Sequence, residues 1–156
     1  MRARKVKGLD PRAPLAENAA RIVRIRLDEL RGFAPKALKE ERVGQQHHMR
    51  IAAKRLRYIL EITEPCFGPD AEVARHRAKE LQGILGDLHD CDVMLPRVEE
   101  HMAQVRDDAS AALPGLEALA AHLKDRRRKL FAQFREFWAD QERDGIWERL
   151  DRETAP

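Results

Sequence analysis

The sequence predicts an all-α fold, an antiparallel four-helix bundle, and three observations carry that expectation. The 156 residues are rich in Ala, Leu, Arg and Glu and sparing with Val and Thr, which favours helix over strand. Apolar residues recur at helical spacing in four stretches, separated by short segments bearing Pro or Gly. No stretch alternates apolar and polar residues with the period of a half-buried strand. The length suits one domain with a single core.

The elements follow in order. Residues 1–14 read as a flexible basic arm ending at Pro14. A first helix is expected from Leu15 to Phe33, with Leu15, Ala19, Ile22, Val23, Leu27 and Leu30 as its apolar stripe and Gly32 and Pro35 as its stop. Arg21, Arg24 and Arg31 share another face, either solvated beside Asp28 and Glu29 or turned to an anion. A second helix starts between Pro35 and Val43 and ends before Pro65, with Met49, Ala53, Leu56 and Leu60 pointing inward. The turn EPCFGPD follows, and Asp70 is the expected N-cap of the third helix. That helix spans Ala71 to Gln104 with Leu81, Ile84, Leu85, Leu88 and Leu95 as its stripe, and a kink or break is expected at Pro96. A loop at Ser110–Gly115 leads to a fourth helix, Leu116 to Ala139, built on Leu116, Leu119, Leu123, Leu130, Phe134 and Phe137. The bundle thus occupies residues 15–140. Residues 141–156 read as a tail with one packed turn at Ile146, Trp147 and Leu150.

Charge is nearly balanced at +3, so its placement matters more than its sum. Residues 41–60 hold five Lys or Arg against one acid. On a helix His47, Arg50, Lys54 and Arg57 fall within an arc of roughly 80° and rise about 15 Å. A single small phosphate needs two or three such donors, whereas a ladder this long suits an extended, repeating anion. Arg binds phosphate oxygens in bidentate fashion, Lys adds a point charge, and His adds a donor that titrates near neutrality. On the third helix Lys79, Gln82, Gly86 and His89 share one arc; Gly86 leaves room for a close helix or a ligand, or is a tolerated imperfection. Lys79 and His89, with Arg126 and Lys129 of the fourth helix, are candidates for the opposite wall. The run DRRRK at 125–129 would, taken alone, be a solvated face.

Three charges fall inside apolar arcs: Arg55, Asp92 and Arg127. Unpaired burial is costly, so pairing is expected, as an Arg55–Asp92 contact with Asp90 as the other acceptor. The alternative is that the arginines reach the surface along their stems.

Other classes find less support. The aromatic content of 5% gives few stacking platforms for single-stranded nucleic acid, and no zinc module or aromatic RNA-binding pattern occurs. A nucleic-acid or acidic-protein binder remains the rival, because the same ladder can neutralise a nucleic-acid backbone. The adjacent His47 and His48 diverge by about 100° on a helix, and His76, His89 and Cys91 form no ligand spacing, so no metal or other cofactor is expected. Neither G-x-S-x-G nor a phosphate loop is present, and Asp87, Asp90 and Asp92 spread around their helix, so no catalysis is expected. Cys66 and Cys91 make no disulfide framework, which suits a reduced, cytoplasmic setting. No apolar segment follows the basic start and no apolar run reaches 18 residues, so neither secretory signal nor membrane span is expected.

Two motifs give a resemblance. His47, Arg50, Lys54, Arg55 and Arg57, followed by Tyr58, and then Leu85, Gly86, Asp90, Asp92 and Val93, resemble the paired motifs of the CHAD family, the histidine-bearing α-helical domains. Many members carry Arg where this chain has His89, which lowers the charge carried over. The resemblance covers roughly residues 15–140. It implies a helical module that binds inorganic polyphosphate and associates with polyphosphate granules. Members typically have two related four-helix halves around a basic groove. This length suits one half, and a homodimer would supply the second.

Overall fold

The computed structural model describes residues 2–106 and 111–155. Its order is α1 (Leu15–Ala37), α2 (Val43–Thr63), a 3-10 turn (Glu64–Cys66), α3 (Pro69–Arg106), α4 (Leu113–Asp144) and α5 (Ile146–Glu153). Among the described residues there is no strand, so the fold is all-α as expected. Of the expected loop at Ser110–Gly115, Ser110 lies outside the described residues, and α4 already begins at Leu113.

Local breakers yield to burial twice. α1 runs through Pro35 to Ala37, past its predicted stop, because Ala34 and Ala37 are packed into the core. α3 runs through Pro96 to Arg106 without the expected break. The lost backbone bond is offset there by Leu95, Val98 and Met102, which pack in a cluster with Ala120 and Leu123 of α4.

α2 lacks a side-chain cap at Arg42. The buried Gln46 fastens its start instead, donating to the carbonyls of Lys39 at 2.9 Å and of Ala37 and Glu40, each at 3.3 Å. The stripe of Met49, Ala53, Leu56 and Leu60 is fully buried as predicted. It meets Val23, Leu27 and Leu30 of α1, Leu81, Leu85 and Leu88 of α3, and Phe131 and Phe134 of α4 in one core.

The expected tail is part of that core. Gly145, at φ +71°, ends α4 in the left-handed conformation that favours glycine. α5 then turns Ile146, Trp147 and Leu150 fully inward, and Trp147 stacks on Trp138 with ring centroids 5.8 Å apart. Arg31 of α1 pairs with Glu148 at 2.6 Å and Arg24 with Asp151 at 3.3 Å. Glu153 accepts from the backbone N–H groups of Asp70 and Ala71 at 3.0 and 3.2 Å. The cap predicted for Asp70 thus comes from Glu153, and Asp70 instead pairs with Arg149 at 2.9 Å. α5 therefore packs on α3, α4 and α1 together.

Residues 2–14 run along α1. The backbone N–H of Arg4 donates to Glu29 at 2.5 Å, Arg26 donates to the Arg4 carbonyl at 3.1 Å, and Asn18 exchanges hydrogen bonds with the Asp10 backbone. No helix among the described residues is long and apolar enough to cross a membrane.

Candidate functional site

The site grows from the meeting of α2 and α3. Their buried stripes fix the antiparallel packing, and that packing sets the polar residues beside the stripes against one another. The imidazoles of His47 and His89 stack with centroids 4.3 Å apart and planes tilted by 30°. One turn further on, Arg50 crosses Gly86. A Cβ on Gly86 would lie 3.4 Å from Arg50 Nε, so the absent side chain leaves the bed on which the arginine rests. Carried along two antiparallel helices, that register would bring Lys54 toward Gln82 and Arg57 toward Lys79. The two arcs read from the sequence therefore form the two sides of a single seam.

The electrostatics of the seam are lopsided. Among the described residues no carboxylate lies within ion-pair distance of Arg50, Lys54 or Lys79. His47 Nδ1, Arg50 Nε and Gln82 Oε1 are buried without a hydrogen-bond partner, and unsatisfied buried polar atoms are uncommon in folded proteins. Burial first, then the neighbouring His89, Arg50 and His48, hold His47 below the usual histidine range. Arg57 closes the row, 3.2 Å from Glu61 one turn along. Tyr58 steadies the cations, with Arg57 Cζ 4.5 Å and Lys54 Nζ 5.7 Å from its ring centroid. Sequence reasoning gave Tyr58 no role in the site, although the Lys-x-x-x-Tyr spacing was its signal.

Arg126 and Lys129, expected on the opposite wall, are held elsewhere. Arg126 lies 3.8 Å from Asp87 on the α4 side of α3, and Lys129 pairs with Asp125 at 2.7 Å. Hydrogen bonds from Lys129 and Arg128 bring the Asp125 carboxyl down to about 2. This part of the DRRRK run is a solvated, locally neutralised surface, as the sequence suggested for it taken alone.

Arg127 turns the other way, and the inward charges pair differently from expectation. Arg127 Nε donates to Asp92 at 2.5 Å, and its Nη2 reaches Gln46 Oε1 and the Glu40 carbonyl, each at 3.2 Å. This hub joins α4, α3, the start of α2 and the α1–α2 turn. Arg55, predicted to meet Asp92, faces α1, where its Nη1 stands 3.8 Å from Glu29. Glu29 is buried and also takes Arg26 at 2.7 Å. Arg55 lies on the α1 side of α2, which is why Asp92 falls to α4.

A cavity of about 620 Å³ lies apart from the seam, between α1, the 3-10 turn and α5, lined by Arg21, Arg24, Cys66 and Phe67 among others. Among the described residues no group of three or more His, Cys, Asp or Glu could hold a metal ion.

The arrangement offers a row of N–H donors about 15 Å long, with an imidazole stack at one end, Arg57 paired to Glu61 at the other, and Arg50 and Lys54 between them without a carboxylate partner among the described residues. It is suited to phosphate oxygens spaced along a chain. A protein-family model described as CHAD domain matches residues 2–99, a span that includes α1, α2 and α3 through the seam. No curated protein and no solved structure matches the chain.

Proposed function

The chain belongs to the CHAD family, and on that premise we propose that it is a binding module for inorganic polyphosphate, without catalysis of its own. The family is linked to polyphosphate binding. The observation that carries the reading to particular residues is the α2–α3 seam, where His47 and Arg50 face His89 and Gly86, and where neither Arg50 nor Lys54 has a carboxylate within ion-pair distance among the described residues. Arg50 supplies a guanidinium fork, Lys54 and Lys79 supply point charges, and the imidazoles donate at the end of the row. Arg57 serves once the anion draws it from Glu61. Arg126 and Lys129 act at most as an outer electrostatic rim. A second copy set face to face would close this open seam into a groove, and a module of this kind would localise to polyphosphate granules.

Titration with long-chain polyphosphate, RNA and duplex DNA at two salt concentrations tests the reading. The expected result is preference for polyphosphate at equal phosphate concentration, retained near physiological salt. Equal, salt-labile binding to all three would mean a generic basic surface, and preference for RNA or DNA would replace polyphosphate with nucleic acid.

A further inference from the structure

The His47–His89 stack is more than two members of a row of donors. Each ring is partly buried, and their centroids stand 4.3 Å apart. Protonating both places two positive charges in contact, with the Arg50 guanidinium one turn away as a third. The surrounding groups do little to neutralise them. On α2, His48 lies between Phe33 of α1 and His47, with ring centroids 5.7 and 6.2 Å away, and adds a further cation when protonated. On α3, Asp90 is exposed to solvent and Asp92 is engaged by Arg127 of α4. Glu40 of the α1–α2 turn lies 3.6 Å from that same arginine. Among the described residues no carboxylate lies within ion-pair distance of either ring of the stack. A counter-charge for the imidazolium form must then come from outside the protein, and the seam is where an anion would lie.

We propose that polyphosphate binding at this seam is coupled to protonation of the His47–His89 stack, so that the protein holds polyphosphate more tightly as pH falls from about 8 to about 6. The inference rests on the polyphosphate reading above. Phosphoryl oxygens beside the stack favour the charged imidazole, which burial and the neighbouring cations disfavour in the free protein. The histidine pKa is therefore higher in the complex than in the free protein. The added affinity is fully present below the free-protein value and is lost as pH rises through the bound value. By reciprocity, binding takes up protons from solution. The inner phosphates of a long chain are strong acids, ionised throughout this range, so the titrating groups belong to the protein.

The test measures affinity for long-chain polyphosphate at pH 8 and pH 6 at constant ionic strength, with proton uptake read by calorimetry in two buffers of different ionisation enthalpy. Wild-type protein should bind about three- to tenfold more tightly at pH 6, the limit for one proton being about tenfold per pH unit, and should take up a fraction of a proton at neutral pH. His47→Gln with His89→Gln should bind with flattened pH dependence, whereas His76→Gln, which lies beside Glu72 on α3, should keep the wild-type slope. Binding at both pH values with equal affinity and no proton uptake would overturn the coupling and leave the polyphosphate reading standing. No binding at either pH would overturn that reading itself. A slope that survives in the double variant would assign the proton elsewhere and overturn the proposal. Should the double variant unfold, the wild-type NMR titration of His47 and His89 decides. Both should titrate at higher pH with polyphosphate bound, and unchanged titration sinks the coupling.

Discussion

The ladder of His47, Arg50, Lys54 and Arg57 and the run of Arg126, Arg127, Arg128 and Lys129 present similar charge in the sequence, yet the structure treats them oppositely. Each cation of the run has an acid within ion-pair distance: Asp87, Asp92 or Asp125. In the ladder Arg57 leans on Glu61, and Arg50 and Lys54 have no such partner among the described residues. The difference lies in which acids occur three or four residues away, and which neighbouring helix each face meets. Asp125 sits three and four residues before Arg128 and Lys129, the spacing at which helical side chains meet. Cation density alone therefore does not say which cations are left without an acid; the spacing of local acids does.

The contrast breaks most sharply on paired double variants. Arg50→Ala with Lys54→Ala should weaken polyphosphate binding about 30- to 100-fold, because each removes a charge-assisted bond worth about 1.5 kcal/mol or a little less. Arg126→Ala with Lys129→Ala removes the same formal charge and should cost about twofold, an outer electrostatic effect screened by salt. Both proteins should keep their helical circular dichroism. Equal losses in the two folded variants would mean that total charge, and not the seam, sets affinity.

Arg127 should reverse the pattern by stabilising without binding. Its exposed neighbours meet solvent, but it and Asp92 are only 15% and 13% exposed. Arg127→Ala strands the Asp92 carboxylate and the Gln46 amide oxygen at the hub. We expect about 2 kcal/mol of lost stability in urea unfolding, with polyphosphate affinity per folded molecule changed less than about threefold, since Arg127 is engaged by Asp92 and Gln46 and is not one of the seam's donors. A loss below about 0.5 kcal/mol would reduce the hub to an ordinary surface pair.

Much of this was legible because it is local. Met49, Ala53, Leu56 and Leu60 are buried where helical spacing put them, and the arcs of α2 and α3 meet because each flanks its own buried stripe. Spacing also showed that Arg55, Asp92 and Arg127 turn inward, but not which helix each would meet. That depends on the order in which helices pack, so Arg55 found Glu29 and Asp92 found Arg127. α5 was read short for a related reason. An eight-residue helix has little stability of its own, and this one is held by Trp147 in the core and Glu153 on the end of α3. Pro35 and Pro96 misled because a local rule met buried alanines in one place and a packed hairpin in the other.

Gly86 offers the smallest effect and the finest discrimination. It lies within α3, where replacing Gly by Ala raises helix propensity by about 0.8–1 kcal/mol. The new Cβ would stand 3.4 Å from Arg50 Nε, at the edge between ordinary and tight contact, so the arginine moves by a few tenths of an ångström at most. Gly86→Ala should therefore leave stability equal or higher while weakening polyphosphate binding about three- to fivefold, because the fork of Arg50 is no longer laid along the seam. Stability and affinity moving in opposite directions cannot come from damage to the fold. If Gly86→Ala binds as tightly as wild type, Arg50 is free to reposition, and the glycine serves only helix packing. If both fall together, α3 has shifted and the close approach at position 86 belongs to the core. Only divergence of the two would make Gly86 part of the anion site, as the residue whose missing side chain orients Arg50.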